Sequence, residues 1–202
     1  MFNSIYSKIR ERVDRMPYGA VFSLADFEDL GDSKTVSKYL IKMSEKGTVS
    51  KVTRGIFAKL PESEEASPDD VARALARSNS WTLVPSGDTA MHLIGASEKK
   101  PSVWTYITDG TSRVYELKNC VINFTHASGR FISNMSEKTA LVVQVIKAYG
   151  KKPMNSDLAK KIRSYFVHAE YERVVEESRG TTVWISEIIR TLFAKKNTGD
   201  IQ

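Results

Sequence analysis

Regularly spaced basic residues are the strongest chemical signal in this sequence. Between Ser33 and Lys59, seven lysines and arginines are opposed by one acid, Glu45. At about 100° per residue, a helix over the first part of this run has a basic side and an apolar side. The basic side comprises Lys34, Ser37, Lys38, Ile41 and Lys42, and the apolar side comprises Val36, Tyr39, Leu40 and Met43. A helix fixed to a core on one side and carrying ammonium groups on the other suits the major groove of duplex DNA.

A second group of residues has the letter pattern of a metal-dependent nuclease. Asp109 is followed by Glu116-Leu117-Lys118. In such sites two carboxylates hold a divalent cation and a lysine orients the attacking water. The pattern is short and frequent, and both segments also have the composition of hairpin turns. The nuclease therefore stays a remote alternative, and we expect no catalytic residues.

Other polar groups are weaker candidates for chemistry. Ser86, Asp88 and His92 fall on one predicted short helix, where their offsets do not build a relay of serine, histidine and acid. Cys120 is the only cysteine, so neither a disulfide nor a cysteine-based zinc site is expected. The remaining histidines have no neighbours at ligand spacing. We therefore predict no metal site and no cofactor.

A hairpin with a basic tip is predicted directly after the basic helix. Gly47 ends that helix, and the strand-like segments 49–52 and 56–59 flank Thr53-Arg54-Gly55. Glycine at such a turn is typical of a hairpin and places an arginine at its tip. We expect duplex DNA to be contacted by Ser33, Lys34, Thr35, Ser37, Lys38, Lys42, Lys51, Thr53 and Arg54.

The preceding residues supply the elements that would position this surface. An apolar stripe predicts a first helix from about Ile5, and residues 17–19 break it before a short strand. A short second helix follows, and Asp32 or Ser33 can cap the third. The order of helix, strand, helix, turn, helix and hairpin predicts a winged helix-turn-helix over residues 1–61.

A less specific interpretation of the same residues stays open. Lysines on one side of a helix are commonly its solvated face, and a helix with a two-stranded ribbon also serves protein contacts. The arginine at the hairpin tip and the near absence of acids favour DNA binding. The alternative is a protein-interaction module with weak affinity for nucleic acids.

The whole chain is predicted to be an α+β protein with three folded parts. An acidic stretch bounded by prolines marks residues 62–68 as a linker. Residues 69–135 predict a small α/β domain with an antiparallel sheet. Residues 136–202 predict a helical C-terminal segment.

Charge is unevenly distributed over these parts. The 202 residues carry a formal net charge of +6. Residues 1–61 have eleven basic and seven acidic side chains, residues 62–135 seven and nine, and residues 136–202 twelve and eight. A polyanion is therefore better matched by either end than by the middle. The sequence shows no signal-peptide core and no apolar run long enough to span a bilayer, so we expect a cytoplasmic protein without membrane contact.

The C-terminal segment offers two further surfaces. The basic clusters Lys151-Lys152 and Lys160-Lys161-Ile162-Arg163 are usually solvated helix surface, but they could also lie against phosphates. Apolar faces there suit burial within the monomer, or against a second chain in a homodimer that binds an inverted repeat. Those faces comprise Leu141, Val145, Ile185, Ile189 and Leu192.

Three segments, Val52–Pro61, Pro85–Gly95 and Tyr106–Arg113, resemble in this order the wing, the small-residue helix and the next strand and turn of AbiEi-type antitoxins. The resemblance covers about residues 1–126, and the segment from Ser136 does not match. It implies a bacterial regulator that represses its own type IV toxin–antitoxin operon. The implied partner is a nucleotidyltransferase-like toxin or the target that this toxin regulates, and a toxin-neutralising module is the alternative.

Overall fold

The structure, a computed structural model, describes residues 4–61, 63–128 and 134–194. As predicted, the chain is of mixed α+β class, and its described part contains eight α-helices and two small sheets. It forms two compact units. An N-terminal unit lies within Met1–Trp81 and Tyr115–Ile122, and a C-terminal unit lies within Thr82–Val114 and Asn123–Gln202.

This division falls elsewhere than the predicted boundaries at residues 61, 68 and 135. Helix α3, Pro68–Ser78, belongs to the N-terminal unit although an acidic stretch precedes it. Five of its side chains are buried: Val71, Ala72, Ala74, Leu75 and Ala76. Because that apolar stripe has to be covered, the helix packs onto the elements before the stretch instead of starting a new domain.

The N-terminal unit begins with a helix and a three-stranded sheet. Its elements before α3 are α1 (Ile5–Arg15), β1 (Val21–Ser23), a 3₁₀ turn (Leu24–Phe27), α2 (Ser33–Glu45), β2 (Ser50–Thr53) and β3 (Ile56–Ala58). The strand order is β1-β3-β2, with β3 antiparallel to both neighbours. One core joins these elements through Ile9, Val13, Phe22, Phe27, Val36, Leu40, Met43, Val49 and Phe57.

The predicted second helix is a single 3₁₀ turn. At its start the Ser23 N–H and the Ser23 hydroxyl both donate to Asp26 Oδ2, at 2.6 Å and 3.0 Å. Only Phe27 is fully buried, whereas Leu24 and Leu30 are half-buried. One turn is enough to bring that single aromatic ring into the core.

After α3 the chain forms a second sheet and a group of helices. The elements are β4 (Leu83–Pro85), α4 (Gly87–Leu93), β5 (Val103–Thr108), β6 (Arg113–Glu116), β7 (Val121–His126), α5 (Glu137–Tyr149), α6 (Ser156–Ser164), α7 (Tyr171–Glu177) and α8 (Val183–Phe193). The strand order is β4-β5-β7-β6. None of the described helices is both long and apolar enough to cross a membrane.

The apolar faces of the C-terminal helices close the monomer's own core. Leu141 and Val145 of α5 pack in one cluster with Ile185 and Ile189 of α8, and all four are at most 5% exposed. Leu192 is half-buried beside them. Of the two arrangements that the sequence left open, burial within the monomer is the one observed.

Two carboxylates tie α7 and the turn before it to the start of α5. Glu177 Oε2 accepts hydrogen bonds from the Ser136 hydroxyl at 2.7 Å and from its backbone N–H at 3.1 Å. Burial opposes ionisation of Glu177, but hydrogen bonds from Thr139 and Ser136 outweigh it and lower the pKa of this group. The backbone N–H of Val167 and then the Lys138 ammonium lower the pKa of Glu170.

Candidate nucleic-acid interface

Asp32 fixes the start of α2. Its Oδ1 accepts hydrogen bonds from the backbone N–H groups of Lys34 at 2.9 Å and Thr35 at 3.0 Å, and its Oδ2 accepts from the Thr35 hydroxyl at 2.8 Å. These bonds, with the Thr35 N–H first, lower the pKa of Asp32. The sequence allowed Asp32 or Ser33 as the cap, and the structure selects Asp32, so Ser33 becomes the first helical residue.

Helix α2 presents its basic side outward because its other side is buried. Val36, Leu40 and Met43 are at most 1% exposed. On the opposite side Ser33, Lys34, Lys38, Ile41 and Lys42 are exposed and Ser37 is half-buried. The predicted contact residues of the helix therefore share one surface, apart from Thr35. That residue is half-buried, and its hydroxyl hydrogen is donated to Asp32.

The hairpin places Arg54 at an exposed turn beside this helix. Strands β2 and β3 are joined by Arg54-Gly55, and Gly55 has φ +77°. That left-handed conformation favours glycine, so the turn can be this tight. The Leu24 N–H donates to Gly55 O at 3.2 Å and ties the turn to the 3₁₀ segment. Since α2 packs against β2, the helix and the hairpin adjoin.

The other two hairpin candidates differ in exposure. Lys51 is exposed on β2, and Thr53 is half-buried at the end of the same strand. A register shift separates them, since Lys51 pairs with Phe57 and Thr53 pairs with Ile56. Lys51 is therefore accessible to a polyanion, whereas Thr53 chiefly shapes the turn.

Ion pairing separates this surface from the arginines of the neighbouring helices, whereas Lys8 of α1 is exposed and has no carboxylate at ion-pair distance among the described residues. All five arginines of α1 and α3 form ion pairs with carboxylates: Arg10, Arg12, Arg15, Arg73 and Arg77. Within the described residues, no carboxylate lies at ion-pair distance from the exposed cations of α2 and the hairpin: Lys34, Lys38, Lys42, Lys46, Lys51 and Arg54. Their charge is therefore not neutralised by the described part of the protein.

One lysine of the basic run is used inside the fold. The Lys59 ammonium donates to the backbone carbonyls of Asp14 and Met16, each at 2.7 Å. These carbonyls lie at the C-terminal end of α1, where helix carbonyls lack partners and a cation is favourable. Lys59 contributes to the charge count of the sequence but is held by α1.

A second long-range contact, which the sequence does not reveal, positions α1. Arg12 forms a bidentate pair with Asp29, with Nη1 to Oδ1 at 2.6 Å and Nη2 to Oδ2 at 2.7 Å. Its Nη1 also donates to the Asp26 carbonyl at 2.8 Å. The hydrogen bonds from Arg12 lower the pKa of Asp29. The contact fixes α1 against the segment that leads into α2.

Lys42 lies at the edge of the basic surface that faces α1. Its ammonium lies 6.0 Å from the centre of the Tyr6 ring. The Tyr6 ring in turn packs on Tyr39 of α2 at 5.4 Å between ring centroids. A cation at that distance from an aromatic face is weakly attracted to it, so Lys42 is oriented without losing its exposure.

The residues of the nuclease pattern lie at strand ends. Asp109 follows β5, and its Oδ1 accepts a hydrogen bond from the Thr82 N–H at 2.8 Å. Glu116 is the last residue of β6. The described ranges contain no group of three His, Cys, Asp or Glu side chains that could hold a metal ion.

The serine and histidine of α4 are bonded to backbone carbonyls. The Ser86 hydroxyl donates to Thr105 O at 3.3 Å, and the His92 Nδ1 lies 3.1 Å from Ser97 O. The His92 ring packs edge-on against Trp104. Both side chains thus support the sheet and the end of α4.

Comparisons with other proteins give a family and a distant structural likeness. A sequence model of DUF6088, a family of unknown function, matches residues 8–174. The crystal structure of the RV2827C protein from Mycobacterium tuberculosis is similar with a TM-score of 0.47 and 12% identity, over 93% of this chain and 76% of that chain. A likeness at this level carries no inference about function. No curated protein matches the sequence.

Proposed function

The chain belongs to DUF6088, a family of unknown function, and we propose that it is a DNA-binding transcriptional regulator. In this proposal the first part of the N-terminal unit is a winged helix-turn-helix. Helix α2 is its recognition helix, and the β2–β3 hairpin is its wing. The contacts to duplex DNA come from Ser33, Lys34, Ser37, Lys38, Lys42, Lys51 and Arg54, with Thr35 and Thr53 shaping the surface.

The observation that carries the proposal is the set of unpaired cations on a helix that is fixed to a core. Lys34, Lys38 and Lys42 are exposed and without carboxylate partners in the described structure, while the arginines of α1 and α3 are paired. Exposed charges that find no partner within the protein remain available to a polyanion. Phosphate groups bind such cations and release condensed counterions.

The dimensions of α2 also suit a major groove. A helix with its side chains is about 10–12 Å across, which fits a groove about 12 Å wide, and the 13 residues of α2 give it a length of about 20 Å at the usual rise. A recognition helix contacts base edges mainly through its N-terminal residues. Ser33 and Ser37 lie there, and the hairpin with Arg54 adjoins.

The proposal extends to an antitoxin that represses its own operon in the bacterial cytoplasm. This extension is supported by the resemblance of the hairpin and of the following segments to AbiEi-type antitoxins. The partners would be duplex DNA and a nucleotidyltransferase-like toxin, and a homodimer would match an inverted-repeat operator. A toxin gene beside the gene for this protein would support the antitoxin role.

The test is a binding measurement on the protein's own upstream DNA. Fluorescence anisotropy with that duplex and with a scrambled duplex, at physiological salt, should show preference for the first. Arg54→Ala should weaken binding by about 1–3 kcal/mol if the arginine reads a base edge. Equal affinity for both duplexes would refute operator recognition and favour a protein-interaction module. Circular dichroism of the variant separates loss of contact from loss of fold.

A further inference from the structure

Two parallel rows of side chains divide the exposed side of α2. Residues four apart lie along one ridge of a helix. One ridge, which continues to the C-cap, consists only of lysines: Lys34, Lys38, Lys42 and Lys46. The ridge beside it carries no cation: Ser33, Ser37, Ile41 and Glu45. We call them the lysine ridge and the uncharged-to-acidic ridge. Their different chemistry implies that they meet different parts of a ligand.

Ile41 is the one large apolar side chain of the second ridge. It is 40% exposed, whereas its neighbour Leu40 is 0% exposed in the core. A single exposed isoleucine is common on protein surfaces and has no meaning by itself. Ile41 is relevant to binding because of its position. It lies on the outward side of α2, between Ser37 and Glu45 and beside Lys38.

A DNA duplex offers matching chemistry for both ridges. Phosphates border the major groove and attract the lysine ridge, but they repel a carboxylate such as that of Glu45. The floor of the groove carries base edges, among them the C5-methyl group of thymine, which apolar side chains contact. The ridge that contains Ile41 therefore fits the base edges, and the lysine ridge fits a phosphate backbone.

We propose that Ile41 determines sequence specificity by packing on the C5-methyl group of a thymine in the operator. This inference rests on the proposed function, since it concerns the same helix in the same groove. Neither Ile41 nor Glu45 is among the contact residues expected from the sequence, since that set contains only cations and residues with hydroxyl groups.

The side chain of Ile41 is well suited to this contact. A β-branched residue in a helix has one strongly preferred χ1 rotamer, so little rotamer freedom is lost when it packs on a base. The helix itself is held by Leu40 and Met43, which are at most 1% exposed. The apolar surface is thus positioned before DNA binds.

Replacing thymine by deoxyuridine removes only the C5-methyl group and gives a direct test. Duplexes that bind the wild-type protein are first selected from a randomised pool, and each thymine is then replaced singly. At one or two positions the wild-type protein should bind about fourfold more weakly, as expected for one lost buried methyl group. Other positions should show no change.

Variants assign this discrimination to Ile41. Ile41→Ala should bind the thymine and deoxyuridine duplexes equally, while Ile41→Val, which keeps the branched methyl groups, should retain most of the discrimination. Val183→Ala is the matched control, since Val183 is 73% exposed on α8 of the C-terminal unit. That control should discriminate like the wild-type protein.

Two different outcomes overturn different claims. If the wild-type protein binds selected duplexes but tolerates deoxyuridine at every position, or if Ile41→Ala still discriminates, the thymine contact is wrong and the proposed function stands. If no duplex is selected over the starting pool, the proposed function fails and the thymine contact with it. A wild-type titration without discrimination overturns the thymine contact by itself, so the proposal can be refuted without any variant. Assignment of an observed discrimination to Ile41 requires the Ile41→Ala variant, and Ile41→Val shows whether the branched methyl groups carry it.

Discussion

Replacing both Lys38 and Lys42 by alanine should flatten the salt dependence of DNA binding. Both side chains are exposed on the lysine ridge and find no carboxylate among the described residues. Each phosphate contact contributes about −0.9 to the slope of log affinity against log salt. The slope of the double variant should therefore be less steep than the wild-type slope by about 1.8.

The magnitude follows from the number of free cations on the surface. If all six exposed cations of α2 and the hairpin meet phosphates, the wild-type slope is about −5.4 per bound protomer. The affinity of the wild-type protein would then fall about 1,800-fold between 50 and 200 mM salt, and the affinity of the double variant would fall only about 150-fold. Fewer contacts reduce both values, but the difference in slope between the two proteins remains.

The assay is fluorescence anisotropy at four or more salt concentrations with the protein's own upstream duplex. The matched control is Lys147→Ala with Lys160→Ala. These two lysines are exposed on α5 and α6 and form no ion pair in the described ranges. The control should keep the wild-type slope. Circular dichroism should show that both double variants remain folded, because all four side chains point to solvent.

Two results would contradict this reasoning. A Lys38 and Lys42 variant with the wild-type slope would mean that the lysine ridge does not meet phosphates. If the slope of the control became less steep by the same amount, the C-terminal helices would also have to contact the polyanion. Either result would remove the support that unpaired charge gives to the proposed function.

Further expectations concern stability. Leu40→Ala should cost about 2–5 kcal/mol of unfolding free energy by denaturant titration, because it leaves a cavity in the core, while the adjacent exposed Ile41→Ala should change it by less than about 0.5 kcal/mol. Lys59→Ala should cost about 1–2 kcal/mol, because the carbonyls at the end of α1 lose a charged donor, and it should leave the salt slope of DNA binding unchanged. The lowered pKa values of Glu170 and Glu177 stabilise the folded protein above their unfolded pKa of about 4.3. That contribution should be lost as pH falls through the lowered values. Denaturant titrations at several pH values should therefore show that the wild type is more stable than a variant in which neither glutamate is present at neutral pH, and that this difference shrinks as pH falls below about 4.

The sequence predicted correctly those features that depend on residues close together in the chain. The two faces of α2 follow from apolar and basic residues three and four apart, and burial of Val36 and Leu40 agrees with that pattern. A cap at Asp32 or Ser33 and the turn at Gly55 also follow from their neighbours within a few residues, and the structure selects Asp32 as the cap. Such features depend on helix period, capping and backbone sterics, all of which act over a short stretch of chain.

Features that join distant residues were decided by the tertiary structure alone. The Arg12–Asp29 pair links residues 17 apart, and Lys59 bonds to carbonyls more than 40 residues earlier. Both side chains look like ordinary surface charges in the sequence. Only the folded structure shows that the Lys59 ammonium binds carbonyls of α1, while Lys38 is exposed and has no ion pair among the described residues.

The placement of whole elements was likewise settled by burial. The acidic stretch before Pro68 has the composition of a linker, yet α3 packs on the unit that precedes it. The apolar faces of α5 and α8 were candidates for burial within the monomer or against a second chain, and they meet each other. A sequence determines that an apolar face must be covered, because its exposure to water is costly. Which surface covers it depends on how the complete chain folds.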